Sequence, residues 1–128
     1  MPYDHLIRLE TLLPAFFTGA VAQGLDAAAP CAAQLSERPA KFFGLWPQKG
    51  AIQVGADADL AVLTPGVFRW DSAQAHDALN WSPYDGRQFS ARVRRTYLGG
   101  QLAWDGADIQ AHAGQGRYVR RGTSAWFR

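Results

Sequence analysis

The chain has 128 residues, 48% of them apolar and 12% aromatic; this is the size of one domain with enough apolar content for an ordinary core, which excludes a disordered chain. It holds no run of eighteen or more apolar residues, and residues Met1 to Arg8 lack the basic region and small-residue cleavage site of a secretory signal, so neither a helical membrane span nor a leader is expected. Its formal net charge is +2, but Arg87, Arg92, Arg94, Arg95, Arg117, Arg120, Arg121 and Arg128 face only Asp105 and Asp108 in the last third, an asymmetry read as solvated strand faces or as pairing with acids elsewhere, because no nucleic-acid motif accompanies it.

In chain order, Leu9, Leu12, Leu13, Phe16, Phe17 and Ala20 recur at the spacing of one helical face, which predicts a core-facing helix. Pro14 marks its first turn or kinks it, and Gly24 ends it. Asp26 then caps a second helix whose apolar positions include Ala28, Cys31, Ala32 and Leu35. Ser36 and Pro39 restart a short helix, Phe42 and Phe43 bury its end, and Gly44 closes it. Cys31 reads as a small buried hydrophobe; as the single cysteine it excludes an internal disulfide and a cysteine-based zinc site, and favours a reducing cytoplasm.

From Gly50 the period changes to two. Ile52 and Val54 alternate with Ala51 and Gln53, Gly55 to Asp57 form a turn, and Leu60 to Leu63 read as a strand buried on both faces and stopped by Pro65-Gly66. Further strands are predicted at Val67 to Trp70, Arg92 to Leu98, Gln101 to Trp104 and Arg117 to Arg120. Gly99-Gly100 joins the second and third of these as a hairpin, and Asn80 to Gly86 form a structured loop. Helices followed by strands predict an α+β fold.

The chemistry-bearing residues do not assemble into a site. His5, His76 and His112 have no metal-ligand spacing and read as loop or surface residues. Asp57 and Asp59 fall on one side of a strand start, where hydrogen bonds within a turn account for them. Gly114-Gln115-Gly116 precedes a strand and so is a turn, not a phosphate cradle. Trp46, Trp70, Trp81, Trp104 and Trp126 are scattered over different elements and read as core and interface anchors.

The stretch "PAKFFGLWPQKGAIQVGADADL" resembles the end of the cyclic amidohydrolases, the family of dihydroorotase, allantoinase and dihydropyrimidinase. Pro39, Ala40, Phe43, Gly44 and Leu45 match the helix by which those chains leave a metal-binding (β/α) barrel. Lys49, Gly50, Ile52, Gly55, Asp57, Ala58, Asp59 and Leu60 match the entry into a small β-sandwich. "SPYDGRQFSARVRRTYLGGQLAWDG" resembles the allantoinase form of that sandwich through Ser82, Pro83, Tyr84, Gly86, Arg87, Ala91, Arg92, Thr96, Leu98 and Gly100, and "GQGRYVRRG" its closing strand.

The resemblance implies the last helices of a (β/α) barrel over residues 1–48, a composite β-sandwich segment over 49–122 and a tail over 123–128. It implies the carboxy-terminal part of an allantoinase-like enzyme. The parent reaction is hydrolysis of a cyclic amide such as allantoin to allantoate by two divalent metals, usually zinc, bridged by a carboxylated lysine and hydroxide. Those ligands precede the matched segment, so no catalytic, cofactor-binding or metal residue is assigned here, and the chain is expected to be silent alone. Tyr3, Asp4 and His5 stand where the family carries a small Gly-containing loop, so they are assigned no substrate contact. The alternative expectation is a non-catalytic assembly module that pairs with a separate barrel or with itself. The partners expected are thus a homo-oligomer or a missing barrel; a membrane is excluded and nucleic acid disfavoured.

Overall fold

The computed structural model describes residues 10–76 and 81–126. It is an α+β arrangement in which helices α1 (Leu12–Ala22), α2 (Ala28–Ala32) and α3 (Arg38–Phe42) precede strands β1 (Leu60–Arg69), β2 (Gln88–Leu98) and β3 (Gln101–Trp104). The strands form one antiparallel sheet in the order β1-β2-β3. Among the described residues β1 has a strand partner on one side, and the outer side of β3 is met by an isolated bridge from Trp104 to Ile109.

Helix α1 places Pro14 in its first turn, where its missing N–H costs nothing. Its end is closed by the Gly24 N–H on the Val21 carbonyl (2.9 Å) and the Leu25 N–H on the Ala20 carbonyl (3.1 Å), the paired bonds of a Schellman motif. Thr18 joins the helix to the sheet: its hydroxyl donates to the Pro14 carbonyl (2.7 Å) and accepts from the Ser90 N–H of β2 (2.9 Å). Of the predicted apolar face, Ala20 is buried, Leu13, Phe16 and Phe17 are half-buried and Leu12 is exposed, while Leu9 lies outside the described residues.

The second helix is begun by Asp26, whose carboxylate accepts from the Ala28 N–H at 3.3 Å. It does not stop at Ser36 as predicted. A π-helical turn (Ala33–Glu37) runs directly into α3. Pro39 supplies the reason: its ring denies the carbonyl four residues back a donor and crowds it, and a wider turn relieves both. The buried stripe runs through Ala27 and Cys31, with Leu35 half-buried, while Ala28 and Ala32, predicted to face the core, are exposed. Burial pushes the Cys31 thiol pKa up, as expected of an inert small hydrophobe.

Gly44 closes α3 as predicted, with its own N–H on the Lys41 carbonyl (3.3 Å) and the Leu45 N–H on the Ala40 carbonyl (2.8 Å). Phe42 and Phe43 do not bury that end. Both are about half exposed and pack edge-on, centroids 5.1 Å apart, with Trp126 against Phe42 at 6.0 Å.

Four strand expectations are corrected. Ile52 and Val54 lie in no strand; the Asp57 N–H closes residues 48–57 into a loop on the Gln48 carbonyl (2.9 Å), leaving Ile52 91% exposed and Val54 fully so. Pro65-Gly66 does not stop β1, because a register shift between Pro65 and Phe68 absorbs it as a bulge, merging two predicted strands into one. β1 is also not buried on both faces: Leu63 and Phe68 are half-buried, whereas Val62 and Val67 are exposed. Arg117 to Arg120 form no strand either. The hairpin at Gly99-Gly100 is present, both glycines at positive φ, as a turn matched to strand twist requires.

The core is thin. Among the described residues the buried apolar set is Ala20, Ala27, Cys31, Ala40, Phe89 and Ala91, in which phenylalanine is the only large side chain. None of the five tryptophans belongs to it; Trp81 and Trp126 are exposed and Trp46, Trp70 and Trp104 half-buried. No described helix is long and apolar enough to cross a membrane.

Candidate functional site

The described residues bring the charged groups of the helix-to-sheet junction together. Lys49 Nζ lies 2.9 Å from Asp57 Oδ2 and also pairs with Asp59 Oδ2. Gln48 Nε2 donates to Asp57 Oδ2 (3.1 Å), and the Arg117 guanidinium reaches Asp57 Oδ1 (2.8 Å) across sixty residues of sequence. Asp59 Oδ1 accepts from the Gly99 N–H (2.8 Å), and the Gly100 N–H donates to the Ala58 carbonyl (2.9 Å), so the same loop grips the hairpin tip. The two carboxylates do not make the hydrogen bonds within a turn that the sequence suggests: their side-chain partners Gln48, Lys49, Gly99 and Arg117 lie eight to sixty residues away, and it is Asp59 on Gly99 that ties the loop to the hairpin. The lysine was visible in the motif; Arg117 was not, because nothing local in the sequence marks a partner that distant.

These contacts set protonation. The Lys49 hydrogen bond, joined by Gln48 and the Lys49 and Arg117 charges, holds the Asp57 carboxyl below its ordinary value. Hydrogen bonding to Asp59, opposed by desolvation and then helped by Asp57, raises Lys49. Asp85 is lowered by the Ser72 N–H (2.8 Å) and hydroxyl (2.9 Å), and Asp105 by the N–H groups of Asp108 (2.8 Å) and Ala107 (2.9 Å). A carboxyl whose folded pKa lies below its unfolded value of about 4 adds stability above that pH and loses it as pH falls through the folded value. A raised lysine adds stability below its unfolded value of about 10.4 and loses it as pH rises through the folded one. Urea midpoints are therefore expected to be level near neutrality, to fall below about pH 4 and to fall again above about pH 10. Asp57→Asn should shallow the acid limb, and an unchanged limb would exclude Asp57 from it.

The histidines do not converge. His5 lies outside the described residues. The backbone N–H of His76 donates to Glu10 Oε1 (2.7 Å), its Nδ1 lies 3.3 Å from Glu10 Oε2 and its ring meets Trp104 edge-on at 4.9 Å. His112 is exposed, its N–H on Gln115 Oε1 (3.2 Å). Among the described residues no group of three or more His, Cys, Asp or Glu could hold a metal ion. The described donors do not fit the binuclear centre that the sequence resemblance implies for the parent enzyme.

No family model matches the chain. An L-hydantoinase from Paenarthrobacter aurescens is 33% identical over 116 residues, 90% of this chain and 25% of that protein. The relatives that the chain matches include L- and D-hydantoinases and a D-phenylhydantoinase from Escherichia coli. A D-hydantoinase from Geobacillus stearothermophilus is 38% identical over 88 residues, 68% of this chain and 19% of the relative. The structure of an L-hydantoinase (dihydropyrimidinase) from Arthrobacter aurescens superimposes with a TM-score of 0.81 and 33% identity, over 88% of this chain and 25% of that one. The chain therefore spans about a fifth to a quarter of the length of the proteins it matches, and its α+β fold is similar to that of a part of theirs.

Proposed function

We propose that the chain is the carboxy-terminal portion of a metal-dependent cyclic amidohydrolase, a scaffold that contributes no metal ligand and is silent by itself. The observation that carries this is the 33% identity running through 90% of the chain but a quarter of an L-hydantoinase. The ring opened by the complete enzyme is of the hydantoin class. Within that class the "SPYDGRQFSARVRRTYLGG" segment favours allantoin, hydrolysed to allantoate in purine breakdown. Chemically, the missing part supplies a Lewis acid for the ring carbonyl and an activated water.

The test is an assay of the purified chain with allantoin, 5-substituted hydantoins and dihydrouracil, with zinc or manganese added. No turnover and no stoichiometric metal are expected alone, and ring opening is expected on co-expression with a hydantoinase lacking the equivalent quarter. Turnover by the isolated chain overturns the proposal.

A second reading, an assembly module, is favoured by the exposed Ile52, Val54, Val67 and Tyr118 beside a thin core and by the unpaired edge of β1. It expects a dimer or larger species in solution. A monodisperse monomer at high concentration counts against it.

A further inference from the structure

Residues 111–126 contain no helix or strand, yet they cross from the sheet back to the helices. Behind them, the Gln110 and Ala111 N–H groups share the Ala103 carbonyl (2.8 and 3.2 Å). The segment then touches down at two places. Arg117 meets Asp57, and further on the Gly122 N–H donates to the Gly44 carbonyl (2.7 Å), the Ala125 N–H to the Lys41 carbonyl (2.9 Å) and the Ser124 hydroxyl to that same carbonyl (3.2 Å). None of its residues is buried, and the side-chain nitrogen of its own Gln115 is enclosed without a hydrogen-bond partner, which weakens docking. Meanwhile the helices and sheet are joined without it, through Thr18 to Ser90, Lys49 to Asp57 and Asp59, and Ala58 to Gly100.

We propose that residues 111–126 form a detachable strap, latched by Arg117 on Asp57 and by Gly122 on Gly44, which undocks as a unit while the helices and sheet remain folded. Segments with little buried apolar area open at far lower free energy than the core, and the strap meets that condition. Undocking opens the cleft of about 360 Å³ that Gln115, Gly116 and Arg117 line together with Lys49, Asp57, Asp59 and the hairpin tip. The latch at Arg117 is ionic and 72% exposed on the arginine side, so salt screens it.

Limited trypsin digestion of the full chain tests this, because cleavage tracks the open population when closing is fast. Arg120 and Arg121 report the strap; Arg92 and Arg95, paired with β1, and Arg94 between them report global unfolding. In the wild type the strap sites are cut well before the β2 sites. Arg117→Gln speeds cleavage at Arg120 and Arg121 by roughly two- to fivefold with β2 cleavage unchanged, whereas Asp57→Asn, which also removes the Lys49 pair, speeds cleavage at both sets of sites. Added salt speeds the same cleavage in the wild type and has little effect in Arg117→Gln. Strap and β2 sites cut in step, or strap cleavage indifferent to both substitutions and to salt, overturns the proposal.

Discussion

Phe89→Ala is expected to destabilise the chain by about 3–5 kcal/mol, the range for truncating a buried phenylalanine. Phe89 is 3% exposed, opposite Phe68 across the β1-β2 pair with ring centroids 5.6 Å apart, and 5.7 Å from Tyr84 in the Ser82 to Gly86 turn. It thus ties two strands and a loop at once. Beside it Ala91 is completely buried, so the cavity has backbone for a wall and little that can relax into it. Against a stability of about 5–15 kcal/mol for a typical domain, and with so few large side chains buried elsewhere, the loss approaches unfolding. Phe89→Leu, which keeps most of the volume, should cost under about 1.5 kcal/mol. Urea midpoints of the two variants check this; a loss under 1 kcal/mol for the alanine variant would show that this sheet face is not the core.

The parts of this fold that were legible in the sequence are those encoded within a few residues. Gly24 and Gly44 announce helix ends because a left-handed residue there lets two backbone N–H groups reach back to free carbonyls, and both do so. Gly99-Gly100 announces a hairpin for a similar reason, and the Ser82 to Gly86 turn forms where proline, aspartate and glycine cluster. Each signal is complete before any tertiary contact forms.

What failed depended on partners. Alternation at Ile52 and Val54 specifies which face a residue would take in a strand, but a strand needs a neighbour, and the loop closed on itself through Gln48 and Asp57 instead. Pro65-Gly66 reads locally as a stop, yet β2 continues opposite it and the pair bulges. The π-turn before Pro39 and the strap after Ala111 have no periodic signature at all. The charged junction divides the same way: Lys49, Asp57 and Asp59 share one short motif and were visible together, whereas Arg117 joins them only through the path of the strap. Exposed Ile52, Val54 and Tyr118 fit the same logic, since apolar periodicity in a chain that spans a quarter of its relatives can be written for contacts made by the remaining part.

Gly50→Ala is the second large effect, expected at about 2–5 kcal/mol. The backbone there has φ +77°, and an added Cβ would sit 2.6 Å from Ala40 Cβ and 2.7 Å from the Ser36 carbonyl oxygen. Left-handed geometry alone costs a residue with a side chain about 1–2 kcal/mol. The clash adds about 1–3 kcal/mol, because what must move is backbone of the π-turn and a buried alanine of α3, not the tip of a flexible chain. Two other glycines separate the contributions. Gly55 has φ +92° and open space around an added Cβ, so Gly55→Ala should show the backbone cost alone, about 1–2 kcal/mol. Gly19 lies in α1 with neither constraint, so Gly19→Ala should stabilise by about 0.5–1 kcal/mol. Measured side by side in urea, a loss for Gly50→Ala equal to that for Gly55→Ala would mean the loop does not press on the π-turn. A clear excess would mean that the turn made necessary by Pro39 and the glycine eleven residues later fit each other, and that this contact helps to hold the charged junction against the helices.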